Sequence, residues 1–574
     1  MTFQRQRWAF LGGLILGTLS CGDARPGATE REASAPSGAR ATAAPRFTDV
    51  TAESGLAFTT TFGAVPSTQI LEVKGGGLAL IDWDEDGDLD VFVPNGATLA
   101  TPTRGPGCRL FENLGGLRFR DATEAAGLTF ARWGVGAAVG DFDGDGHADL
   151  YVTCYGPNAL LRNTGDGRFE EVAGAAGAAG DAWSVAAAFG DLDADGDLDL
   201  YVANYLEFDV AHPPPPSTFK GAPVFKGPRG LEPARDAVYE NLGDGTFRDI
   251  TEESGCGAVA PGFGLGVVIL DFDGDGRQDI FVGNDSTPNF LFHNRGSAAP
   301  GGREPTFEDV GMRSGVAVNS YGSPQATMGI ALGDVNGDGL PDLFTSNFSN
   351  DSNTLHVSKP RGFFDDATSR YGVGMLATPY VGWATAFHDF DLDGDEDLVV
   401  FNGHVYPNAT CVVMDAEYAE PALLFAREGA RFRRVTADES GPWLAAAHCD
   451  RGAGFGDLDG DGDVDVVVVE LNGPVRVLRN DSDAERWLSV ALEPTALGSR
   501  VELTVDGARQ TRWIHSGGSF ASASAQVAYF GLPEGHGPLE VSVTWPDGAR
   551  QALEGVAPAQ HLTVRRAGPA PRDH

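Results

Sequence analysis

Basic residues are scarce in this chain. Lysine and arginine total 41 against 81 aspartates and glutamates, a formal charge of −40 at neutral pH. Nucleic-acid binding needs cationic patches to meet phosphates, so that class is excluded, and an evenly acidic surface is repelled by anionic membranes. Cysteine is scarce as well. The six, Cys21, Cys108, Cys154, Cys256, Cys411 and Cys449, show no CxxC or other metal-type spacing. Apart from Cys21, they read as buried single thiols, with a Cys411–Cys449 bridge as the alternative. No long apolar run follows the first two dozen residues, so no later segment is expected to cross a membrane. GxSxG, HExxH and P-loop motifs are all missing, which removes the common hydrolase and nucleotide-binding signatures.

The N-terminus carries what the rest lacks. Arg5 and Arg7 precede the apolar stretch from Trp8 to Leu19, too short to span a bilayer comfortably. Ser20-Cys21-Gly22 follows and resembles the bacterial lipoprotein cleavage box, although Thr18 stands where leucine is usual. Residues 1–21 are therefore expected to be a signal peptide ending in a lipid-bearing Cys21, the sole membrane attachment. Residues 22–45, rich in Ala, Pro, Gly and Ser, read as a flexible linker, and 567–574 as a disordered tail. The expected location is the cell envelope: outer membrane, periplasm or cell surface.

Glycine is abundant, with 78 residues, roughly twice its average share of about 7%. Much of it belongs to a repeat. The phrase D-x-[DN]-x-D-G-x-x-D starts at Asp82, Asp141, Asp191, Asp271, Asp334, Asp389 and Asp457, seven copies spaced 50 to 80 residues apart. A second phrase, F-x-x-[VIA], begins at Phe47, Phe119, Phe169, Phe247, Phe307, Phe364 and Phe432. One unit reads as a small-residue strand, the acidic loop, an aliphatic strand such as DLYVTC, a strand ending in Asn, a Gly-rich turn and the Phe strand. Seven such units without an amphipathic helix predict an all-β fold, a seven-bladed β-propeller over residues 46–482. The Gly/Ala strand should be innermost, where blades converge. The first Phe phrase precedes the first acidic loop, so residues 47–51 should supply the outer strand of the last blade. The longest insertion, 206–237, contains HPPPPSTFKGAPVFKGPRG and is read as too rich in Pro and Gly to form a strand.

The acidic loops point to bound cations. Position one is Asp82, Asp141, Asp191, Asp271, Asp334, Asp389 and Asp457; position three is Asp84, Asp143, Asp193, Asp273, Asn336, Asp391 and Asp459. Position five is Asp86, Asp145, Asp195, Asp275, Asp338, Asp393 and Asp461, and position nine is Asp90, Asp149, Asp199, Asp279, Asp342, Asp397 and Asp465. Position seven varies through Asp88, His147, Asp197, Arg277, Leu340, Asp395 and Asp463, as expected of a ligand that acts through its backbone carbonyl. Carboxylates about 4 Å apart repel by roughly 4 kcal/mol at an effective dielectric near 20. Converging groups would splay the loop unless a cation neutralised them. Ca²⁺ takes six to eight oxygens of this kind, so up to seven structural Ca²⁺ ions are expected.

EF-hands need a Glu at position twelve and flanking helices. Here position twelve is Val93, Val152, Val202, Val282, Thr345, Val400 and Val468, all within expected strands. The loop instead resembles the Ca²⁺ hairpin of FG-GAP/VCBS propeller repeats, also found in integrin alpha chains. From about Arg486 the repeat stops, and residues 485–566 read as a separate, sandwich-like β domain. LGSRVELTVDG, the Gly-Gly-Ser of SGGSF, YFGL and VTWPDG make it resemble the ASPIC/UnbV domain of the cartilage acidic protein family. Upstream, TMGIALGDVNGDGLPDLF and FNGHVYPN are similar to that family too. The likeness departs at SFASASAQ, where relatives tend to carry a more polar Tyr-Leu-Ser-Gln type segment. It implies an extracellular Ca²⁺-binding protein and supplies no catalytic motif.

The expected function is that of a non-catalytic adhesion or scaffold protein, with protein or glycan ligands on the propeller face away from the hairpins. The alternative is an envelope hydrolase or lyase on that same face. His388 and His404 are its candidate residues, and three or more polar side chains converging in the central channel would be its mark.

Overall fold

The acidic phrase forms the turn between two antiparallel strands. In the second copy, Gly140 pairs with Asp149 across the hairpin, and the ladder runs to Trp133–Tyr155. Two more strands complete each sheet, giving Trp133–Gly140, Asp149–Tyr155, Ala159–Asn163 and Phe169–Glu171 in this unit. The computed structural model describes residues 44–298, 304–411, 414, 416–482 and 485–566. The expected leader, lipid-bearing Cys21 and tail lie outside them.

Seven such four-stranded sheets occur among the described residues. Their first strands, among them Ser184–Gly190 and Gly264–Leu270, are buried along their length and rich in small residues. Each touches the first strand of the next sheet, and Asp450–Gly456 of the seventh touches Ala79–Ile81 of the first. This is the arrangement of a seven-bladed propeller. The seventh sheet takes its outer strand from Phe47–Asp49, which pairs antiparallel with Val475–Asn480, Phe47 opposite Asn480. Apolar clusters fill the spaces between neighbouring blades; Phe272, Phe281, Leu291, Ile330, Leu343 and Phe364 pack blade four on blade five. Helices are single turns such as Ala173–Ala176 and Thr368–Tyr371, placed just after outer strands.

Two expectations need correction. The insertion 206–237 does contain strands: Ser217–Phe219 pairs with Ala222–Val224. Lys220 and Gly221 between them both have positive φ, 48° and 83°, the backbone of a tight two-residue hairpin turn that Gly makes accessible. The Cys411–Cys449 bridge is absent. Cys108, Cys154, Cys256, Cys411 and Cys449 are free thiols, and all but Cys411 are buried.

Residues beyond 486 form two sheets. One orders Val527–Gly531, Trp487–Glu493 and His561–Arg565; the other orders Ala508–Trp513, Arg500–Val505, Leu539–Thr544 and Arg550–Val556. This region does not stand apart from the ring. The segment 516–526, which contains SFASASAQ, enters the central channel and touches all seven blades. Ala523 exchanges backbone hydrogen bonds with Leu78 and Leu80, the Ala137 amide donates to the Ala521 carbonyl, and the Phe189 amide donates to Ser516 Oγ. The Gly518 amide donates to Val267, Ser519 and Ile330 exchange bonds at 2.6 and 2.9 Å, and the Ala525 amide donates to Phe455. At the tip Phe520 packs edge-on against Trp383, ring centres 4.7 Å apart. Small residues make the fit possible. A Cβ on Gly77 would lie 1.8 Å from the Ala521 carbonyl oxygen, and one on Gly136 only 2.8 Å from it.

Candidate functional site

The hairpins and the face opposite them are the two chemically distinctive regions. Within a hairpin, the first aspartate accepts backbone N–H groups from across the turn. The Gly146, Gly276 and Gly394 amides donate to Oδ2 of Asp141, Asp271 and Asp389 at 2.8–2.9 Å. The amide of residue seven donates to the carboxylate of residue five, as His147 does to Asp145 and Leu340 to Asp338. Oxygens of the aspartates at positions one, three and five gather within 4.8 Å of one another in Asp82/Asp84/Asp86 and in Asp271/Asp273/Asp275. Oxygens of positions one, three and nine do so in Asp141/Asp143/Asp149 and Asp191/Asp193/Asp199.

These groups fit a hard cation. Several oxygens, including Asp82 Oδ1, Asp84 Oδ1, Asp143 Oδ1 and Asp459 Oδ1, are buried with no hydrogen-bond donor, a costly state for a carboxylate. Burial, then neighbouring carboxylates, pushes Asp193 up to about 7 and Asp463 to about 9. Burial, eased by the Gly87 amide, leaves Asp82 at about 6. A cation among them would neutralise this charge. Three of the expected ligand positions are thus brought together in the turns of blades one to four.

Two of the expected ligand positions also do something else. The aspartate at position nine is buried, and both of its oxygens accept backbone amides. Asp149 Oδ2 takes Phe142 at 3.0 Å and Oδ1 takes Asn163 at 2.7 Å; Asp465 does the same with Leu458 and Asn480. It therefore staples the hairpin to the third strand. In blade four the position-seven side chain turns back on the loop: the Arg277 guanidinium pairs with Asp275. His293 lies 3.3 Å from Asp273 and 3.1 Å from Asp279. That hairpin already holds two basic side chains.

One set of residues escapes the sequence reading. The Asn that ends the third strand reaches into the preceding blade. Asn163 Nδ2 donates to the Trp83 carbonyl, Asn241 to Phe142, Asn294 to Leu192, Asn480 to Phe390 and Asn113 to Leu458. Each acceptor is position two of a neighbouring hairpin. The recurrence of Asn at strand ends was its signal. Blades five and six carry Ser358 and Arg427 there instead.

At the other end of the ring lies a cavity of about 450 Å³. The insertion leaves from Asn204 and returns at Ala237, the strand ends remote from the Asp191–Asp199 hairpin. It forms one wall, with Phe219 and Phe225 against Tyr406, ring centres 5.6 and 5.0 Å apart. On the floor, Lys74 Nζ lies 3.2 Å from Asp285 Oδ2, which also accepts the Tyr205 hydroxyl at 2.6 Å. The ammonium sits 4.2 Å from the Tyr205 ring centre and 5.5 Å from that of Trp383. Burial lowers the Lys74 pKa, and Asp285 resists that shift. Phe520 lies against the same Trp383, so the C-terminal segment closes the channel beneath this floor.

The histidines of the enzyme alternative are packed. His388 is enclosed by Phe390, Phe455 and Tyr529, and burial lowers its pKa to about 3. His404 Nδ1 accepts the Tyr406 amide, and burial lowers its pKa to about 4.

Comparison with known proteins agrees with this layout. The FG-GAP-like repeat model matches residues 82–152, 141–202, 230–282, 271–345 and 334–400, and the ASPIC and UnbV model matches 490–570. Four of the five repeat matches run from position one of one hairpin to position twelve of the next. Human cartilage acidic protein 1 is 28% identical over 322 residues, 53% of this chain and 43% of that protein. The Xenopus tropicalis protein is 27% identical over 315 residues, 51% of this chain and 43% of its own length. The chain thus spans less than half the length of the curated relatives it matches. Among solved structures, an Agrocybe aegerita lectin that recognises non-reducing terminal N-acetylglucosamine aligns over 69% of this chain and 85% of its own, at 16% identity and a TM-score of 0.36. A likeness that faint supports nothing about ligand.

Proposed function

Since the chain belongs to the FG-GAP-like repeat family and ends in an ASPIC and UnbV domain, we propose that it is a calcium-stabilised, non-catalytic binding or scaffold protein of the cell envelope. Its ligand face is the one that carries the 450 Å³ cavity. One observation supports this most: the two ends of the ring are used differently. The hairpin end is occupied by clustered carboxylates and by the C-terminal domain, whose segment 516–526 fills the channel. The opposite end holds a cavity walled by the longest insertion, and loops on a rigid frame are where binding sits. His388 and His404 serve packing, so this pair does not carry a hydrolase or lyase; the other mark of that alternative, three polar side chains converging in the channel, is met by Lys74, Asp285 and Tyr205, which this reading assigns to ligand binding. In this reading Cys21 bears the lipid that tethers the protein.

Ca²⁺ would be held by the carboxylates at positions one, three, five and nine and the carbonyl at seven, and would supply the positive charge those groups lack. Differential scanning calorimetry with Ca²⁺ and with EDTA tests the metal reading. Saturation at a hundred times the dissociation constant adds about 2.7 kcal/mol per site, so Ca²⁺ should raise the melting temperature steeply. A melting temperature indifferent to chelator would overturn it.

A further inference from the structure

The cavity has a chemistry that narrows its ligand. Three features meet there. The floor offers a donor and an acceptor side by side: Lys74 spends one N–H on Asp285, and both groups are buried. An ammonium has three N–H groups, so donors remain for a guest. Next to them stands an aromatic wall, Phe219, Phe225 and Tyr406. At the mouth, the insertion contributes Lys226 and Arg229. Among the described residues neither lies within 4 Å of a carboxylate. Free cations are out of keeping with a chain of formal charge −40, in which acids outnumber bases about two to one.

Each feature selects. A neighbouring donor and acceptor match vicinal hydroxyls, each of which both gives and takes a hydrogen bond. Flat aromatic faces suit the C–H side of a pyranose ring. Unspent cations at the rim suit a carboxylate, with Arg229 able to bind it through two N–H groups. The volume falls within the range of small-ligand sites, about 300–1,000 Å³, and suits a disaccharide.

We propose that this cavity binds the end of a carboxylate-bearing oligosaccharide, a uronic-acid glycan. One sugar stacks on Phe219, the partly exposed ring of that wall, its hydroxyl pair meets Lys74 and Asp285, and its carboxylate meets Lys226 and Arg229. The inference rests on the reading of this end of the ring as the ligand face, and it goes beyond that reading by naming the ligand class.

The test is isothermal titration of the Ca²⁺-loaded full chain with a mannuronate tetrasaccharide and with mannotetraose, its uncharged counterpart. The expected result is binding of the acidic sugar at least about tenfold tighter than the neutral one, weakened by added salt. A Lys226→Ala/Arg229→Ala double variant should erase that preference with an unchanged melting temperature. Phe219→Ala, on the partly exposed hairpin, should weaken both sugars. Lys74 is left intact because its loss would strand Asp285 and endanger folding. Equal affinity for the two sugars, reduced by Phe219→Ala, would overturn acidic recognition and leave the ligand face standing. Binding of neither sugar would overturn this inference alone. Acidic-sugar binding that ignores both variants would put the ligand elsewhere and overturn both readings.

Discussion

Seven hairpins share one sequence and live in two environments. At the glycine of position six in blades one to four, Gly87, Gly146, Gly196 and Gly276, an added Cβ would meet nothing within 4 Å. The same atom on Gly339 would lie 2.7 Å from the Arg509 guanidinium, on Gly394 3.3 Å from the Gln510 amide, and on Gly462 only 1.9 Å from the Trp487 indole. The C-terminal domain therefore lies on the turns of blades five, six and seven, and it also reaches blade four beside the turn, where Gln278 Nε2 donates to the Leu497 carbonyl at 3.0 Å. Its contacts reach the ligand groups themselves: the Gly531 amide donates to Asp389 Oδ2 at 3.0 Å, and the Asp457 amide donates to the Tyr529 hydroxyl at 3.2 Å. The loops of blades one to three have open turns, those of blades five to seven double as docking ground, and blade four stands between the two. The repeated phrase solves one local problem, converging charge, and the fold then assigns the copies different neighbours.

The strongest way to break this distinction is to remove what holds the cover in place. Phe520 is fully buried at the tip of the channel segment, and Phe520→Ala should cost about 3–5 kcal/mol, as large-to-small core changes do. Hydrogen exchange should then rise at the hairpins of blades five to seven and stay level at those of blades one to three. A uniform rise would dissolve the comparison. A smaller effect should separate Asp389→Ala from Asp141→Ala. Both remove a proposed Ca²⁺ ligand, but only the first also strands the Gly531 amide, an unpaired buried group worth about 1–3 kcal/mol. Thermal unfolding in Ca²⁺ should show the covered variant less stable by that margin; equal losses would say that the cover adds nothing.

An effect of similar size sharpens the contrast between the hairpins and the opposite end of the ring. Asp236, at the root of the insertion, accepts the Tyr201 hydroxyl and the Asn204 amide, and burial raises it to about 7. A carboxyl raised in the fold stabilises it below the ordinary carboxylate range, and that contribution is lost as pH climbs through about 7. Between pH 5 and 7 the loss should be about 2 kcal/mol, present with or without chelator. Asp236→Asn should shrink the fall over that interval by that amount, leaving the part contributed by other raised carboxyls such as Glu420, at about 8. A fall left unchanged by the substitution would show that Asp236 does not contribute to it.

The hairpins, the order of strands within a blade and the contribution of residues 47–49 to the seventh sheet were legible because each rests on local repetition. A nine-residue phrase with invariant Asp and Gly states its chemistry seven times, and the phase of the Phe phrase places Phe47 last in the ring. The docking of the C-terminal domain was illegible for the opposite reason. Ser519, Phe520 and Ala521 form no periodic pattern, and their meaning lies in the space left by Gly77 and Gly136, more than 380 residues away. The staple made by position nine was half visible: a fixed aspartate was read as an ion ligand, and its two backbone partners appear only once the third strand is in place. The insertion hairpin was missed because prolines on both sides drew attention from Lys220-Gly221, the turn between them.

The pairing of Phe47–Asp49 with Val475–Asn480 sets a schedule for biogenesis. Thr48 and its partner Asp481 are 433 positions apart, so a ribosome releases one edge of the seventh sheet long before the other exists. Until then those three residues wait as an unmatched ribbon, and the channel segment, made later still, has no bore to enter. Closure of the ring is thus a late event, and a chain cut short anywhere before residue 475 would leave Phe47–Asp49 without its partner strand, a bare rim open to pairing with other chains.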